Sequence, residues 1–296
     1  MDFTIENEIL KVTVTTDGAQ VKSVIRKSDG VEHMWQADPE VWGYHAPILF
    51  PYTGRVKDGV ISVSGVDYPA PNQHGFARNM EHSLAERGEG RLVLELTETE
   101  DTLKTFPWKF RLLSTFTLEG DTLHHTLTAQ NRDERDMPFG IGYHPAFAIP
   151  FDGSHRETDY TLKFDALESP ICLGTAPKGL VNGSCYYMGR NMDSLPIIEG
   201  MFDNDSHCMV NLQSKTLGLY ENGTGRGVVC SIENFPYTLI WSKPGMPHFV
   251  CIEPWNSLPS DEAGSTRWEE KPAAAIVAPG ESWSTTLSTS LIRSGV

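Results

Sequence analysis

Apolar residues recur at every second position over much of this chain. In Lys109–Leu118, the residues Phe110, Leu112, Phe116 and Leu118 share one face with Ser114, while Arg111, Thr115 and Thr117 take the other and Leu113 is an exception. After Glu119-Gly120-Asp121, Leu123, His125, Leu127 and Ala129 alternate with Thr122, His124, Thr126, Thr128 and Gln130. Successive side chains of a strand point to opposite faces, so a period of two on both sides of a glycine turn predicts a hairpin. The same pattern predicts strands near Ile9–Thr15, Val21–Arg26, Gly59–Val63, Arg91–Thr97, Thr161–Phe164, Met209–Leu212, Leu217–Tyr220, Val228–Ile232, Thr238–Ser242, Phe249–Ile252 and Ser284–Ser288. No window of about a dozen residues carries a helical stripe free of Gly and Pro. One short helical turn is expected around Asp38–Gly43. The 26 glycines and 19 prolines are spread along the chain, as turns between many strands require.

These elements predict an all-β fold, a single large antiparallel sandwich spanning residues 1–296. A length of 296 residues would also suit two domains. No repeat or low-complexity tract marks a division, however, and the loop-like stretch Ile149–Arg156 is too short for a linker. Functional groups are expected on one face of the sandwich or on the loops beside it.

Charge narrows the partners. The chain has 24 Lys+Arg against 39 Asp+Glu, a net charge of −15. That field repels nucleic acid and the anionic face of a membrane, so neither is an expected partner. A small neutral ligand meets no such penalty, and a small anion needs a local cluster of arginines. The five cysteines, Cys172, Cys185, Cys208, Cys230 and Cys251, are odd in number and show no CxxC spacing. They read as reduced thiols rather than a disulfide framework or zinc site. The opening MDFTIENEILKVTV lacks the basic and continuous apolar regions of a signal peptide, so a cytoplasmic location is expected.

Four segments place polar groups beside Gly, Pro or aromatic residues at strand ends: Phe50-Pro-Tyr-Thr-Gly-Arg55, Asn72-Gln-His-Gly-Phe-Ala-Arg78, Gly142-Tyr-His-Pro-Ala-Phe147 and Cys251-Ile-Glu-Pro-Trp-Asn256. His144, between Tyr143 and Pro145, is either a preorganised acid or base or a core histidine bonded to a carbonyl. His74 precedes Gly75, where a backbone or ligand can approach closely; a plain turn histidine fits equally well. Glu253 shares a strand face with Phe249 and Cys251. A carboxylate there is costly unless paired, and burial raises its pKa toward a useful base. The alternative is a salt bridge to Arg55 or Arg78. Those arginines could instead hold sugar hydroxyls or a phosphate, or lie in solvent. Asp205 sits in an acidic turn, and Trp35, Trp42, Trp241 and Trp255 are candidates to stack on a sugar or simply to pack. No GxSxG, HExxH, P-loop or EF-hand pattern occurs, and Gly223-Thr-Gly-Arg-Gly227 is read as a hairpin turn, not a dinucleotide loop. His124 and His125 face opposite ways and cannot hold one metal.

Together the segments PYTGRV, NQHGFARN, GYHPAF, FDNDSHCMV and FVCIEPWNSLPSD, in that order, resemble the aldose 1-epimerase (galactose mutarotase-like) family, and within it the LacX-like bacterial branch. The resemblance implies a β-supersandwich with a sugar-binding cleft and the interconversion of α and β anomers of a hexose, with no cofactor and no metal. It matches Glu253 to the general base and His144 to the general acid, lying on either side of a pyranose. It matches His74 and Arg55 to sugar-binding residues near the reacting oxygens, and Asp205 to a substrate-binding carboxylate. An ionised Glu253 would favour a charged His144 and keep the acid loaded near neutral pH. The HGFAR string with Arg78 also resembles the hexose-6-phosphate epimerase branch, which predicts Arg55 and Arg78 converging in one pocket. The remaining alternatives are a non-catalytic sugar-binding or sensing module, and a glycoside hydrolase using Asp205 with Glu253. The expected partner is a small-molecule sugar, and the expected state a monomer or weak homodimer.

Overall fold

The computed structural model describes residues 1–271 and 273–293. The hairpin is formed by Phe110–Glu119 and Thr122–Asn131, paired antiparallel with Leu123 opposite Leu118 and Ala129 opposite Leu112. Phe110, Leu112, Ser114 and Phe116 are buried from the first strand and Leu123, His125, Leu127 and Ala129 from the second, as the alternation requires. This hairpin is part of a nine-stranded sheet, with Arg91–Thr97 on one flank and Ser282–Ile292 on the other.

An eight-stranded sheet centres on Phe249–Trp255, all seven residues of which are buried. Tyr237–Trp241 pairs on one side, and the short segments Gly142–Tyr143 and Ala146–Ala148 on the other. His207–Val210, Ile171–Leu173 and Cys185–Tyr187 continue the sheet outward. Every pairing between these strands is antiparallel. The two sheets meet through aromatic rings: Phe50, at the end of the strand Ile48–Leu49, packs against Phe110 of the nine-stranded sheet with centroids 5.1 Å apart. Phe76, Phe106 and Phe139 close around it. A three-stranded sheet of Asp2–Glu6, Leu10–Thr15 and Val21–Arg26 and two small ribbons complete an all-β fold.

Asp38–Gly43 forms one helical turn, as expected. The Val41 and Trp42 amides both donate to the Asp38 carbonyl, closing one turn that goes no further, and the chain continues extended so that Trp42 can reach the eight-stranded sheet. The α-helix among the described residues is the four-residue Glu100–Leu103, opened by a capping box between Thr99 and Thr102. The Gly223 segment does join the antiparallel strands Thr216–Glu221 and Gly227–Ser231. His124 and His125 do face opposite ways: His124 meets Ser288 at 2.8 Å, while His125 is buried against Phe116. Among the described residues no helix is long and apolar enough to cross a membrane.

Tyr143 links the two sheets. Its hydroxyl lies 2.7 Å from the His125 carbonyl and 2.8 Å from the Thr285 carbonyl, and accepts from the Leu127 amide at 3.2 Å. All three partners belong to the nine-stranded sheet, whereas Tyr143 belongs to the eight-stranded one. Its successor His144 is directed toward the opposite side. Tyr143→Phe leaves buried backbone groups unpaired, and should cost about 1–3 kcal/mol in urea unfolding with an unchanged m value.

Candidate active site

The strand Phe249–Trp255 sets Glu253 beside Leu239, in the middle of the eight-stranded sheet. Its face is apolar: Phe249 and Cys251 form a buried cluster with Ala146, covered by Trp35, Val41, Trp42 and Trp241. His144 leaves the neighbouring strand just before Pro145, and its amide donates to the Pro47 carbonyl at 3.1 Å. The His144 Nε2 atom meets Glu253 Oε2 at 3.2 Å, and both side chains are almost wholly buried. Trp42 stacks on the imidazole at 5.0 Å between centroids and Trp241 meets it edge-on. His144 Nδ1 is buried with no hydrogen-bonding partner, so the carbonyl-bonded core histidine is not what is found. Nor does Glu253 pair with Arg55 or Arg78; its partner is the imidazole.

Glycines bring His74 to the same place. His74 adopts φ of 67°, an uncommon conformation for a residue with a side chain. Gly75 follows at φ 73°, and a Cβ there would lie 2.2 Å from the Phe50 carbonyl oxygen. The His74 amide donates to the Gly54 carbonyl at 2.7 Å, and the Gly54 amide donates to His74 Nδ1 at 2.9 Å. Because Nδ1 accepts, the ring proton of neutral His74 sits on Nε2. The ring lies edge-on to both His144 and Trp255.

A cavity of about 330 Å³ opens over these groups. Glu253, His144, His74, Arg55, Arg78 and Asp205 all line it, so the structure brings together every polar candidate named from the sequence. Trp42, Trp241 and Trp255 line it too, whereas Trp35 packs behind them on Phe249. Arg78, in the turn Ala77–Asn79, holds its guanidinium 4.8 Å above the Tyr44 ring, and its Nε is buried without a partner. Asp205 is exposed, with φ of 78°, and accepts from the amide of Ser206. Tyr44, Gln73, Thr175, Ser206 and Lys243 complete the polar lining and were not found from sequence. Gln73 lies within the quoted NQHGFARN segment and Lys243 just past the strand expected over Thr238–Ser242, but only folding shows that either lines the cavity. Among the described residues, none of Arg55, Arg78 and Lys243 forms a salt bridge.

Ionisation departs from expectation. Burial pushes the Glu253 carboxyl well above its ordinary value, the nearby Asp205 charge adds to this, and Trp255 and Arg78 pull the other way. Burial, with Arg78 assisting, pushes His144 down to about 3. Both directions favour the uncharged forms over the charged pair expected from sequence, because burial in low polarity penalises each charge. A neutral carboxyl and a neutral imidazole carry the same single proton as the charged pair. A transfer over one 3.2 Å contact interconverts the two forms. His74 is likewise held neutral by burial and by His144, Arg78 and Arg55. The geometry also departs from a pair placed on either side of a pyranose: at 3.2 Å no sugar fits between the two groups, so both must address one edge of a ligand.

Among the described residues, two side-chain groups bring metal-ligand types together. His144, Cys251 and Glu253 present nitrogen, sulfur and oxygen within 4.8 Å of one another. Burial and Glu253 hold the Cys251 thiol well above its usual pKa, in the protonated form. Asp152, His155 and Glu221 form the other group, where Arg226 already bridges both carboxylates.

A family described as aldose 1-epimerase matches residues 1–290. The chromosomal Protein LacX of Lactococcus lactis subsp. lactis is 30% identical over 287 residues, which is 94% of this chain and 95% of that protein. A galactose mutarotase related enzyme from Lactobacillus acidophilus has a TM-score of 0.93 at 27% identity, covering 99% of this chain and 97% of that one. A galactose mutarotase-like protein from Lactobacillus casei ATCC 334 gives a TM-score of 0.90 at 28% identity, covering 99% and 100%.

Because one proton serves the pair over a wide range, His144 in the free protein should not titrate near neutrality. Imidazole nitrogen shifts followed by NMR should stay those of a neutral ring from about pH 8 to about pH 4, given a value pushed down to about 3. A midpoint near the ordinary histidine value would contradict the buried neutral pair.

Proposed function

Since the chain belongs to the aldose 1-epimerase family, we propose that it is a mutarotase, interconverting the α and β anomers of a hexose by general acid and base catalysis. The observation that carries this reading is the 3.2 Å contact between His144 Nε2 and Glu253 Oε2 at the floor of the cleft. In a cyclic aldose the C1 hydroxyl oxygen and the ring oxygen are bonded to the same carbon. A base for one and an acid for the other must therefore be close neighbours, as these two atoms are.

In the productive form the shared proton lies on His144 and Glu253 is ionised. Glu253 takes the C1 hydroxyl proton as His144 gives its proton to the ring oxygen. The C1–O5 bond breaks and its electron pair becomes the new hydroxyl, while C1 becomes a carbonyl. Rotation about C1–C2 presents the other carbonyl face. The C5 hydroxyl then attacks C1, its proton returns to His144, and Glu253 returns its own proton to the C1 oxygen. The proton inventory closes with no external acid or base. His74, a neutral Nε2–H donor, and Arg55 and Asp205 at the rim are assigned to the sugar hydroxyls. Trp42, Trp241 and Trp255 supply the apolar wall on which a pyranose face rests.

A specific observation favours a phosphorylated hexose as substrate. The chain as a whole is strongly acidic, yet Arg55, Arg78 and Lys243 line this one cleft without carboxylate partners among the described residues. Three such cations form the local cluster that an anionic ligand needs to overcome the surrounding field.

Polarimetry on fresh α-D-glucose, α-D-galactose and glucose 6-phosphate tests both statements. Glu253→Gln and His144→Asn should each slow enzymatic equilibration by about 100-fold or more, the contribution of one proton-transfer group. Parent rates in both variants would refute the assignment. If the cations serve a phosphate, kcat/KM for glucose 6-phosphate should fall severalfold as salt is raised from about 0.05 to about 1 M while that for glucose holds, since screening acts on the charged ligand.

A further inference from the structure

Cys251 sits two residues before Glu253 on the same face of the strand Phe249–Trp255, and takes no part in moving the shared proton. It is wholly buried, and its sulfur makes no hydrogen bond among the described residues, whereas the sulfur of buried Cys230 meets the Thr289 hydroxyl at 3.9 Å. We propose that Cys251, His144 and Glu253 form an inhibitory site for a zinc ion, which silences the catalytic pair by bonding to both of its proton-carrying groups. The inhibition, though not the binding, rests on the mutarotase reading.

The donor set and its spacing carry the proposal. A ring nitrogen of His144, the sulfur of Cys251 and a carboxylate oxygen of Glu253 all lie within 4.8 Å of one another. Tetrahedral zinc, with bonds of about 2.0–2.2 Å to nitrogen and oxygen and about 2.3 Å to sulfur, sets neighbouring donors roughly 3.3–3.7 Å apart. His144 Nε2 and Glu253 Oε2 already stand 3.2 Å apart, so one edge of that tetrahedron is formed. The sulfur has about 1 Å at most to close. Paired backbone holds the donors: Ala146, two residues past His144, pairs with Cys251, and Glu253 pairs with Leu239. Three protein donors leave the fourth position open. His144 and Glu253 line the cleft, which gives the ion its way in.

The sulfur also selects the ion. Magnesium and calcium ask for about six or more oxygen donors, whereas a mixed nitrogen, sulfur and oxygen set suits zinc. On binding, the thiol proton and the proton shared by His144 and Glu253 leave for solvent, and the ion takes their places. With imidazole and carboxylate both bonded to metal, neither exchanges a proton with a sugar. His144 Nδ1 has no hydrogen-bonding partner, so the imidazole lacks the outer support that strengthens permanent metal ligands, and a chelator should remove the ion. Asp152, His155 and Glu221 form no second such site, because Arg226 already bridges both carboxylates.

The test uses protein carrying Cys185→Ser, which removes the exposed thiol. Cobalt(II), a coloured substitute for zinc, reads the site without any activity. It should give a thiolate-to-metal charge-transfer band with the intense visible bands of a four-coordinate ion, and Cys251→Ala should abolish the charge-transfer band. In polarimetry zinc should inhibit, EDTA should restore the rate, and the zinc concentration for half inhibition should rise at least tenfold in Cys251→Ala, each protein being compared with its own zinc-free rate. Absence of the charge-transfer band, its survival in Cys251→Ala, equal zinc sensitivity in both proteins, or activation by zinc would overturn the proposal. Should Cys251→Ala fail to fold, X-ray absorption at the zinc edge decides: one sulfur at about 2.3 Å supports the site and a shell of nitrogen and oxygen alone refutes it. If the band appears and no sugar is mutarotated, the metal site stands and the enzyme assignment falls. If sugars are mutarotated and no band appears, the reverse holds.

Discussion

The site depends on keeping a carboxyl and an imidazole in contact where water cannot solvate either. Glu253 occupies the central strand of a sheet, His144 follows the adjacent strand, and Trp42 and Trp241 cover the imidazole. Each is placed by backbone whose hydrogen bonds are already committed, so neither can swing into solvent without breaking the sheet. Tyr143 reinforces this from behind, through three backbone groups of the opposite sheet. The low polarity that makes the pair costly also strengthens its interaction with any charge developing on a ligand at the same spot.

Around that centre the charge is arranged by depth. The floor is effectively neutral, because burial suppresses ionisation of His74 and His144 and raises the Glu253 pKa. Arg78 is half-sunk under Tyr44, while Arg55 and Lys243 stand at the exposed rim. An approaching sugar thus meets charged groups first, the Arg55 and Lys243 cations with the Asp205 carboxylate, and hydrogen-bonding neutral groups last.

Long strands were legible because burial on one face imposes a period that local sequence displays. Phe110–Glu119, Thr122–Asn131 and Leu10–Thr15 follow this rule. Segments of two or three residues, such as Gly142–Tyr143, Ala146–Ala148 and Cys185–Tyr187, are too short to show a period and exist only because neighbouring strands pair with them. The helix Glu100–Leu103 escapes for the same reason, its evidence being one capping box. Glu253 was conspicuous as a carboxyl on an apolar face, and His144 as an imidazole among aromatics. Their mutual contact is not local information: the residues lie more than a hundred positions apart. Tyr44, Gln73 and Lys243 likewise become site residues only when separate loops meet over one sheet. The expectation of a charged imidazole weighed burial for Glu253 alone, whereas His144 is buried as deeply and its cation is disfavoured too.

That cost has a definite sign on each side of neutrality. Unfolded, His144 would take up a proton as pH falls below its ordinary value of 6.5; folded, it resists until about 3. Its contribution to stability is therefore full above about 6.5 and is lost as pH falls toward 3. Glu253 runs the other way. Its folded pKa is raised above the ordinary 4.5, so its contribution is full below that value and is lost as pH rises toward the folded one. Near neutral pH the imidazole exacts little while the carboxyl already opposes folding. The fold sustains that opposition through the continuous aromatic and aliphatic core beneath the cleft, where Phe50, Phe76, Phe106, Phe110 and Phe139 are packed ring against ring. Buried apolar area is insensitive to pH. The chain thus balances a pH-dependent strain at its site against a pH-independent term elsewhere.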